Sequence, residues 1–294
     1  MGFSSLLKRK TKQNSKGEER EMSFIEHLDE LRKHIIRSLI AIVSASIFIF
    51  FLSDIVFRKI LFYPLDASFP TYRLMCFLEK LLKIPGVCIT PIKTSLQTFD
   101  MGEAFSLHMK ICIYGGVIIS FPFVLWELWK FVKPGLYQAE VKATKGVVFV
   151  TSFLFLLGVA FGYFILAPFS INFLIGYQLP MVNEGESFIK AGSYINYMIM
   201  FTLPAGILFE LPVLIHYLAK VGVITDKDMR TYRRHSIVGI LLLAAVVTPP
   251  DILSQLLVAI PVYLLYELSI GIAARQTRKR EKIIGLNEDL ADKD

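Results

Sequence analysis

The sequence predicts an all-α polytopic membrane protein with six transmembrane helices. Of its 294 residues, 54% are hydrophobic, which is more than a soluble domain of this length usually contains. The apolar residues also come in blocks, and the uncharged runs cover 38–53, 111–126, 146–183, 191–209, 236–250 and 252–266. Several of these runs approach or exceed the ~20 residues with which a helix crosses a bilayer. Composition and spacing together therefore indicate six spans.

The first half of the chain is predicted to contain three spans and a long loop. Apolar residues at three- and four-residue steps predict a short amphipathic helix over 23–34, followed by a first span that ends near Phe57. The loop 58–103 contains a segment, 72–84, that is apolar on one face and basic on the other, which predicts a surface helix. Span two is expected over 104–129 and span three over 146–167. The run 146–183 is about twice the length of one span, so breaks are expected at Pro168 and Gly176, with an apolar loop to about residue 190.

The second half of the chain is predicted to contain one broken span and two short ones. The segment "LPAGILFELP" at 203–212 places Glu210 between two prolines, so span four, 193–219, is expected to break there. The last two spans lie in the runs 236–250 and 252–266, each uncharged for only 15 residues. Fifteen helical residues measure about 22 Å, whereas the hydrocarbon core is about 30 Å thick. The last two helices are therefore predicted to be short.

The distribution of basic residues predicts the orientation. Lys and Arg concentrate in 1–37, 130–145, 220–234 and 275–294, which together hold 24 of the 32. Because short cytoplasmic loops are rich in these residues, both termini are expected inside, as six crossings require. We expect a disordered basic tail over 1–22, a membrane domain over 23–274 and a charged tail over 275–294. The net charge of +7 follows from this topology and does not indicate nucleic-acid binding.

The sequence contains no pattern typical of a metal site, a cofactor site or an enzyme. There are three cysteines, and neither a CxxC pair nor a metal-ligand spacing occurs. We expect three unpaired thiols, although a disulfide between Cys76 and Cys88 remains open if the outside compartment is oxidising. Neither HExxH nor a serine-nucleophile motif is present. We therefore expect no catalytic activity, no cofactor and no bound metal.

Three acidic residues are candidates for function. Glu30 lies on a predicted helix at the inner end of span one, and Glu140 lies in the inner loop after span two. Each is compatible with an ordinary solvated acid, but both are expected on the same side of the membrane. If they converge, they suit a pair of arginines followed by a hydrophobic stretch, because a guanidinium can form two hydrogen bonds with a carboxylate. Glu210 is different, since an ionisable group at membrane depth is costly and usually functional.

Four motifs in the same order resemble one known family. The segments "FIEHLDELRKHI", "FPFVLWELWKFVKPGLYQAE", "LFELPV" and "TPPDILSQ", distributed among six spans, strongly resemble TatC, the polytopic receptor subunit of the twin-arginine protein translocase. The similarity extends from about residue 22 to residue 272. It implies a cupped helical bundle in a bacterial inner membrane that recognises signal peptides bearing two arginines. It also implies recruitment of single-span TatA/TatB-type subunits, self-association in a larger complex, and export of folded proteins driven by the proton-motive force.

The resemblance implies a role for each of several residues. Glu30 and Glu140 match the carboxylates that bind the arginine pair, and Phe131 and Pro134 match neighbouring parts of that site. Glu210 matches an intramembrane glutamate of the concave face. Polar contacts with partner helices are implied for Thr248 and Gln255, although Ala245 stands where some relatives have methionine.

Two other functions compete with this interpretation. A proton-coupled small-molecule transporter would use Glu210 as a proton relay, but such proteins have paired repeats with facing broken helices. Only one broken span and no repeat are predicted for this chain. An intramembrane hydrolase would need a histidine near Ser193 or Ser254 at the same depth, and the sequence provides none.

Overall fold

The computed structural model describes residues 24–83, 88, 91, 95–133, 146–176, 188–248 and 252–291. These residues form eleven α-helices in chain order: α1 Phe24–Phe51, α2 Ser53–Ile55, α3 Pro70–Leu82, α4 Glu103–Val132, α5 Val147–Phe161, α6 Ala167–Gly176, α7 Ala191–Leu208, α8 Leu211–Val221, α9 Asp226–Thr231, α10 Arg233–Val247 and α11 Ile252–Ala291. Shorter segments are two π-helical turns, Val56–Leu61 and Gly162–Leu166, a 3₁₀ turn, Tyr63–Leu65, and two strands, β1 Ser95–Gln97 and β2 Phe188–Lys190.

The described residues include five helical segments that are long and apolar enough to cross a membrane. They are His27–Phe51, Glu103–Val132, Val147–Gly176, Ala191–Lys220 and Ser254–Arg278. The remaining predicted span is α10, whose 15 residues make it as short as expected. The all-α polytopic fold is confirmed. The predicted tail 1–22 lies outside the described residues.

Three boundaries differ from those predicted. The amphipathic segment and the first span form one continuous helix, α1. The third span continues through Pro168 to Gly176, because the π-helical turn Gly162–Leu166 lies directly before that proline. A π-helical turn interrupts the regular i→i−4 hydrogen bonds of the helix, so a proline, which has no backbone N–H donor, can follow it without ending the helix. The last helix is not limited to its apolar run, since α11 has 40 residues and extends into the charged tail.

Small residues let the third and fourth spans pack closely. Gly158 and Gly162 lie one turn apart on α5 and the π turn that follows it, a spacing typical of close helix contacts in membranes. A Cβ atom at Gly158 would lie 2.6 Å from the Ala205 carbonyl oxygen, and one at Gly162 would meet the Phe201 carbonyl. Backbone therefore packs directly on backbone at this contact.

The end of the bundle where α1 ends and α4 begins holds α3 and a small sheet. The predicted surface helix is confirmed as α3, and a disulfide joins its Cys76 to Cys88, with their Cα atoms 4.2 Å apart. The expectation of three unpaired thiols was therefore wrong, because Cys88 lies beside Cys76 of α3. Strands β1 and β2 pair in parallel. Lys190 donates to Asp100 over 3.2 Å, and this hydrogen bond raises the pKa of the lysine.

Candidate functional site

The candidate site lies at the opposite end of the bundle, where α1 begins and α4 ends; we call it the basic end. Helices α1 and α4 pack antiparallel, and their backbones approach closely at Gly116. A Cβ atom at Gly116 would lie 2.9 Å from the Ser46 amide nitrogen and 3.0 Å from the Ile42 carbonyl oxygen. This contact fixes the register of the two helices, so residues 27–37 of α1 lie beside residues 127–131 of α4.

Glu127, which was not predicted from the sequence as a site residue, is a buried acid at the basic end. The residue is only 2% exposed. Its Oε2 lies 2.6 Å from His34 Nδ1 and 3.7 Å from an Arg37 nitrogen, and Lys130 donates to its Oε1 over 3.0 Å. Three groups that are cationic, or become so on protonation, thus surround one carboxylate, and two of them belong to α1. Glu127 therefore joins the first two spans.

Glu30 differs from Glu127 in having no charged partner among the described residues. It lies half-buried on α1 and, among the described residues, forms no ion pair and no side-chain hydrogen bond. Its cationic neighbours on the same helix, Arg32 and Lys33, do not pair with it. The charge of Glu30 is therefore accessible to a cation from outside the described part of the chain.

Phe131 lies on α4 between two histidines of α1. Its ring stacks on His27 with centroids 4.5 Å apart and meets the edge of His34 at 6.2 Å. These histidines stand three residues before and four residues after Glu30, so all three occupy one face of α1. The structure thus brings Glu30 and Phe131 to the same place. Glu140 and Pro134, the other two predicted members of the site, lie outside the described residues.

Aromatic side chains mark the end of α4 and connect it to α8. The Lys130 ammonium lies 3.2 Å from the centre of the Trp126 ring, a cation–π contact. Trp129 packs against Tyr217 of α8 with ring centroids 5.5 Å apart. Both tryptophans thus lie at the end of a span, where such residues are expected to meet the headgroups.

Glu210 occupies the predicted break in the fourth span. Helix α7 ends at Leu208 and α8 begins at Leu211, with Pro212 in the first turn of α8. The Glu210 carbonyl accepts hydrogen bonds from the amides of Val213 and Leu214, both over 3.0 Å. Both carboxylate oxygens are buried, and neither has a hydrogen-bond partner among the described residues. An unpaired polar group of this kind is costly in a membrane protein.

Thr248 and Gln255, the predicted contacts for partner helices, bond within the chain. Thr248 is 3% exposed and donates to the Ala244 carbonyl over 2.9 Å. Gln255 donates to the Leu241 carbonyl over 3.0 Å and so links α11 to α10. Within the described ranges, no group of three or more His, Cys, Asp or Glu residues is arranged to hold a metal ion.

The fold and the site together define a class of protein. The chain is a multi-pass helical membrane protein. Among the residues described, Glu127 is a paired carboxylate and Glu30 an unpaired one at the same end of its first two spans. A family model described as "Sec-independent protein translocase protein (TatC)" matches residues 26–261. The chain belongs to the TatC family, which confirms the resemblance seen in the sequence, and is a component of a protein translocase, not an enzyme.

Individual relatives are similar along nearly their whole length. The TatC protein of Blattabacterium sp. subsp. Periplaneta americana is 36% identical, and the match covers 90% of this chain and 100% of that protein. The TatC protein of Carboxydothermus hydrogenoformans is 35% identical over 87% of this chain and 94% of its own length. A crystal structure of the twin arginine translocase receptor TatC in DDM matches with a TM-score of 0.67 and 31% identity, covering 84% of this chain and 99% of that one.

Proposed function

We propose that this chain is the signal-peptide receptor and core subunit of a twin-arginine translocase. Glu30 and Glu140 bind the two arginines of the signal peptide, beside Phe131 and Pro134. The observation that supports this most directly is that Glu30 has no charged partner within the described ranges, at an end of the bundle where Glu127 is already paired. A guanidinium supplied by a peptide would provide the missing partner.

An apolar groove next to Glu30 suits the hydrophobic part of such a peptide. It has a volume of about 260 Å³ and lies between α1 and α4. Leu31, Ile35 and Leu39 line one side, and Leu128 and Phe131 line the other. A peptide whose arginines contact Glu30 would therefore place the following apolar residues against this groove.

The remaining parts of the proposal concern location and partners. The basic residues around the beginning of α1 and the end of α4 favour a cytoplasmic position for this end and for both termini, in a bacterial inner membrane. Single-span TatA/TatB-type subunits would associate with α10 and α11 near Thr248 and Gln255. Glu210, whose carboxylate oxygens are buried at the break between α7 and α8, would participate in transport driven by the proton-motive force.

Neutralising Glu30 tests the receptor function. The Glu30→Gln variant is expected to bind a twin-arginine signal peptide about ten- to a hundredfold more weakly than wild type, because a hydrogen bond to a charged group contributes about 1.5–3 kcal/mol. The measurement is the Kd of a fluorescent peptide for the purified full-length protein.

The neighbouring Asp29 provides the matched control. It is exposed on the same turn of α1, so Asp29→Asn changes the net charge equally without altering the proposed site. Its Kd should stay close to that of wild type. Equal affinities of Glu30→Gln and Asp29→Asn, or equal binding of a twin-lysine peptide by wild type, would refute the role of Glu30.

A further inference from the structure

A second site lies in a cleft at the basic end, between α5, α8 and α11. The cleft has a volume of about 760 Å³. Its walls come from the beginning of one candidate span and the ends of two others, which start at Val147 and finish at Lys220 and Arg278. Where apolar helices end together, the surrounding lipid presents its headgroups. The cleft therefore lies at headgroup level.

One wall of the cleft is apolar. Val147, Val150 and Leu154 lie along the first half of α5, and Ile272 faces the same space from α11. A small soluble ion would leave this surface uncovered. A molecule with both a polar head and a hydrocarbon chain would cover it and gain about 25 cal/mol for each Å² of apolar area removed from water.

The polar residues that line the cleft favour the binding of a negatively charged group. Arg275 and Arg278 line the cleft and have no ion pair with any residue whose position is described, whereas Arg233 is paired with Glu267 over 2.8 Å. Tyr217 also lines the cleft, and its buried hydroxyl has no hydrogen-bond partner in the described part of the chain. Gln276 and His216 of the same lining contact each other over 3.3 Å, and no carboxylate is among the lining residues described. The two arginines therefore lack a negative counter-charge there.

The beginning of α5 adds further donors to the same cleft. Gly146 and Val147 both line it, and Gly146 caps α5 in a left-handed conformation with φ of 98°. The amides of its first turn have no intrahelical acceptors, and no side chain among the described residues caps them. An uncapped helix N-terminus attracts phosphate. Because it opens onto the same cleft as the two arginines, it strengthens their preference for an anion.

We propose that this cleft binds the phosphate headgroup of an anionic phospholipid, with Arg275, Arg278, Tyr217 and the first turn of α5 as donors and the α5 wall as the acyl-chain contact. The apolar wall is the reason for choosing a lipid over free phosphate. This site does not depend on signal-peptide binding, because it uses different residues from those around Glu30.

Lipid retention by the purified full-length chain tests the proposal. Native mass spectrometry in detergent should detect bound dioleoylphosphatidylglycerol, and the Arg275→Gln/Arg278→Gln variant should bind it about tenfold more weakly or worse. The matched control is Lys227→Gln/Arg234→Gln, which removes two exposed cations from the same end of the bundle but outside the cleft. That control should retain the lipid like wild type.

Several results would overturn the proposal. One is equal retention of phosphatidylglycerol by the cleft variant and by the control variant. Another is that the wild-type protein retains dioleoylphosphatidylcholine as well as it retains dioleoylphosphatidylglycerol. Thermal protection by inorganic phosphate equal to that by the lipid would point to a free anion. No lipid on wild type would mean that another group, such as an acidic segment of the chain, fills the cleft. If the double variant does not fold, Tyr217→Phe should still weaken retention, and an unchanged affinity would count against the site.

Discussion

The Gly162→Val substitution is expected to separate the third span from the fourth and to lower the thermal unfolding midpoint sharply. A side chain at this position would meet the Phe201 carbonyl and lie 2.8 Å from the Thr202 Cα atom. Both are backbone atoms, so no rotamer change can relieve the overlap. Overpacking of this kind costs about 1–3 kcal/mol, occasionally more, and the upper part of that range applies where backbone must move.

The control is valine at a helical glycine that has free space around it. It separates the effect of steric overlap from the effect of valine on helix propensity. A Cβ atom at Gly239 of α10 would have nothing within 4 Å, so Gly239→Val has the same β-branched side chain without the overlap. Fluorescence-detected gel filtration after heating should show early loss of the Gly162→Val monodisperse peak and a near-normal midpoint for Gly239→Val. Equal midpoints would show that the third and fourth spans are not in close backbone contact at Gly162.

The Glu127→Leu substitution is expected to weaken the attachment of α1 to α4 and, with it, peptide binding. Leucine would leave His34, Arg37 and Lys130 near one another without a counter-charge. Loss of hydrogen bonds to a charged group costs roughly 1.5–3 kcal/mol, and the exposure of Arg37 and Lys130 to solvent favours the lower part of that range. Because Glu30 and Phe131 lie on different helices, their separation should also raise the Kd for a twin-arginine peptide.

The isosteric Glu127→Gln variant is the control for this prediction. It keeps the volume and one hydrogen-bond acceptor but removes the charge, so its unfolding midpoint and peptide affinity should lie between those of wild type and Glu127→Leu. If Glu127→Leu matched wild type in both measurements, the buried carboxylate would not hold the first two spans together.

Local patterns were sufficient to predict most of the helices. Uncharged runs located the spans, the prolines around Glu210 located the break in the fourth, and one-sided apolarity located α3. Pro168 was the exception, because a proline usually ends a helix. Here the π-helical turn Gly162–Leu166 precedes it, and the apolar run around Pro168 is compatible both with that arrangement and with a break.

Contacts between distant segments were not predictable in the same way. The His34–Glu127 contact joins residues 93 positions apart, and nothing local to either residue indicates the other. A signal for Glu127 was nevertheless present, since an acid stood between two tryptophans at the end of a span. The Cys76–Cys88 disulfide depends likewise on the path of the loop after α3, which spacing alone does not determine.

The most direct test is to map where the arginine pair of a signal peptide lies when it is bound. A twin-arginine precursor with a photoreactive residue beside the arginines would be crosslinked to the full-length protein, and the adducts located by mass spectrometry. We expect adducts on both the α1 segment around Glu30 and the segment 131–140, with both lost for a twin-lysine precursor. Adducts confined to one of these segments, or equal adducts with the lysine precursor, would contradict joint binding of the arginines by Glu30 and Glu140.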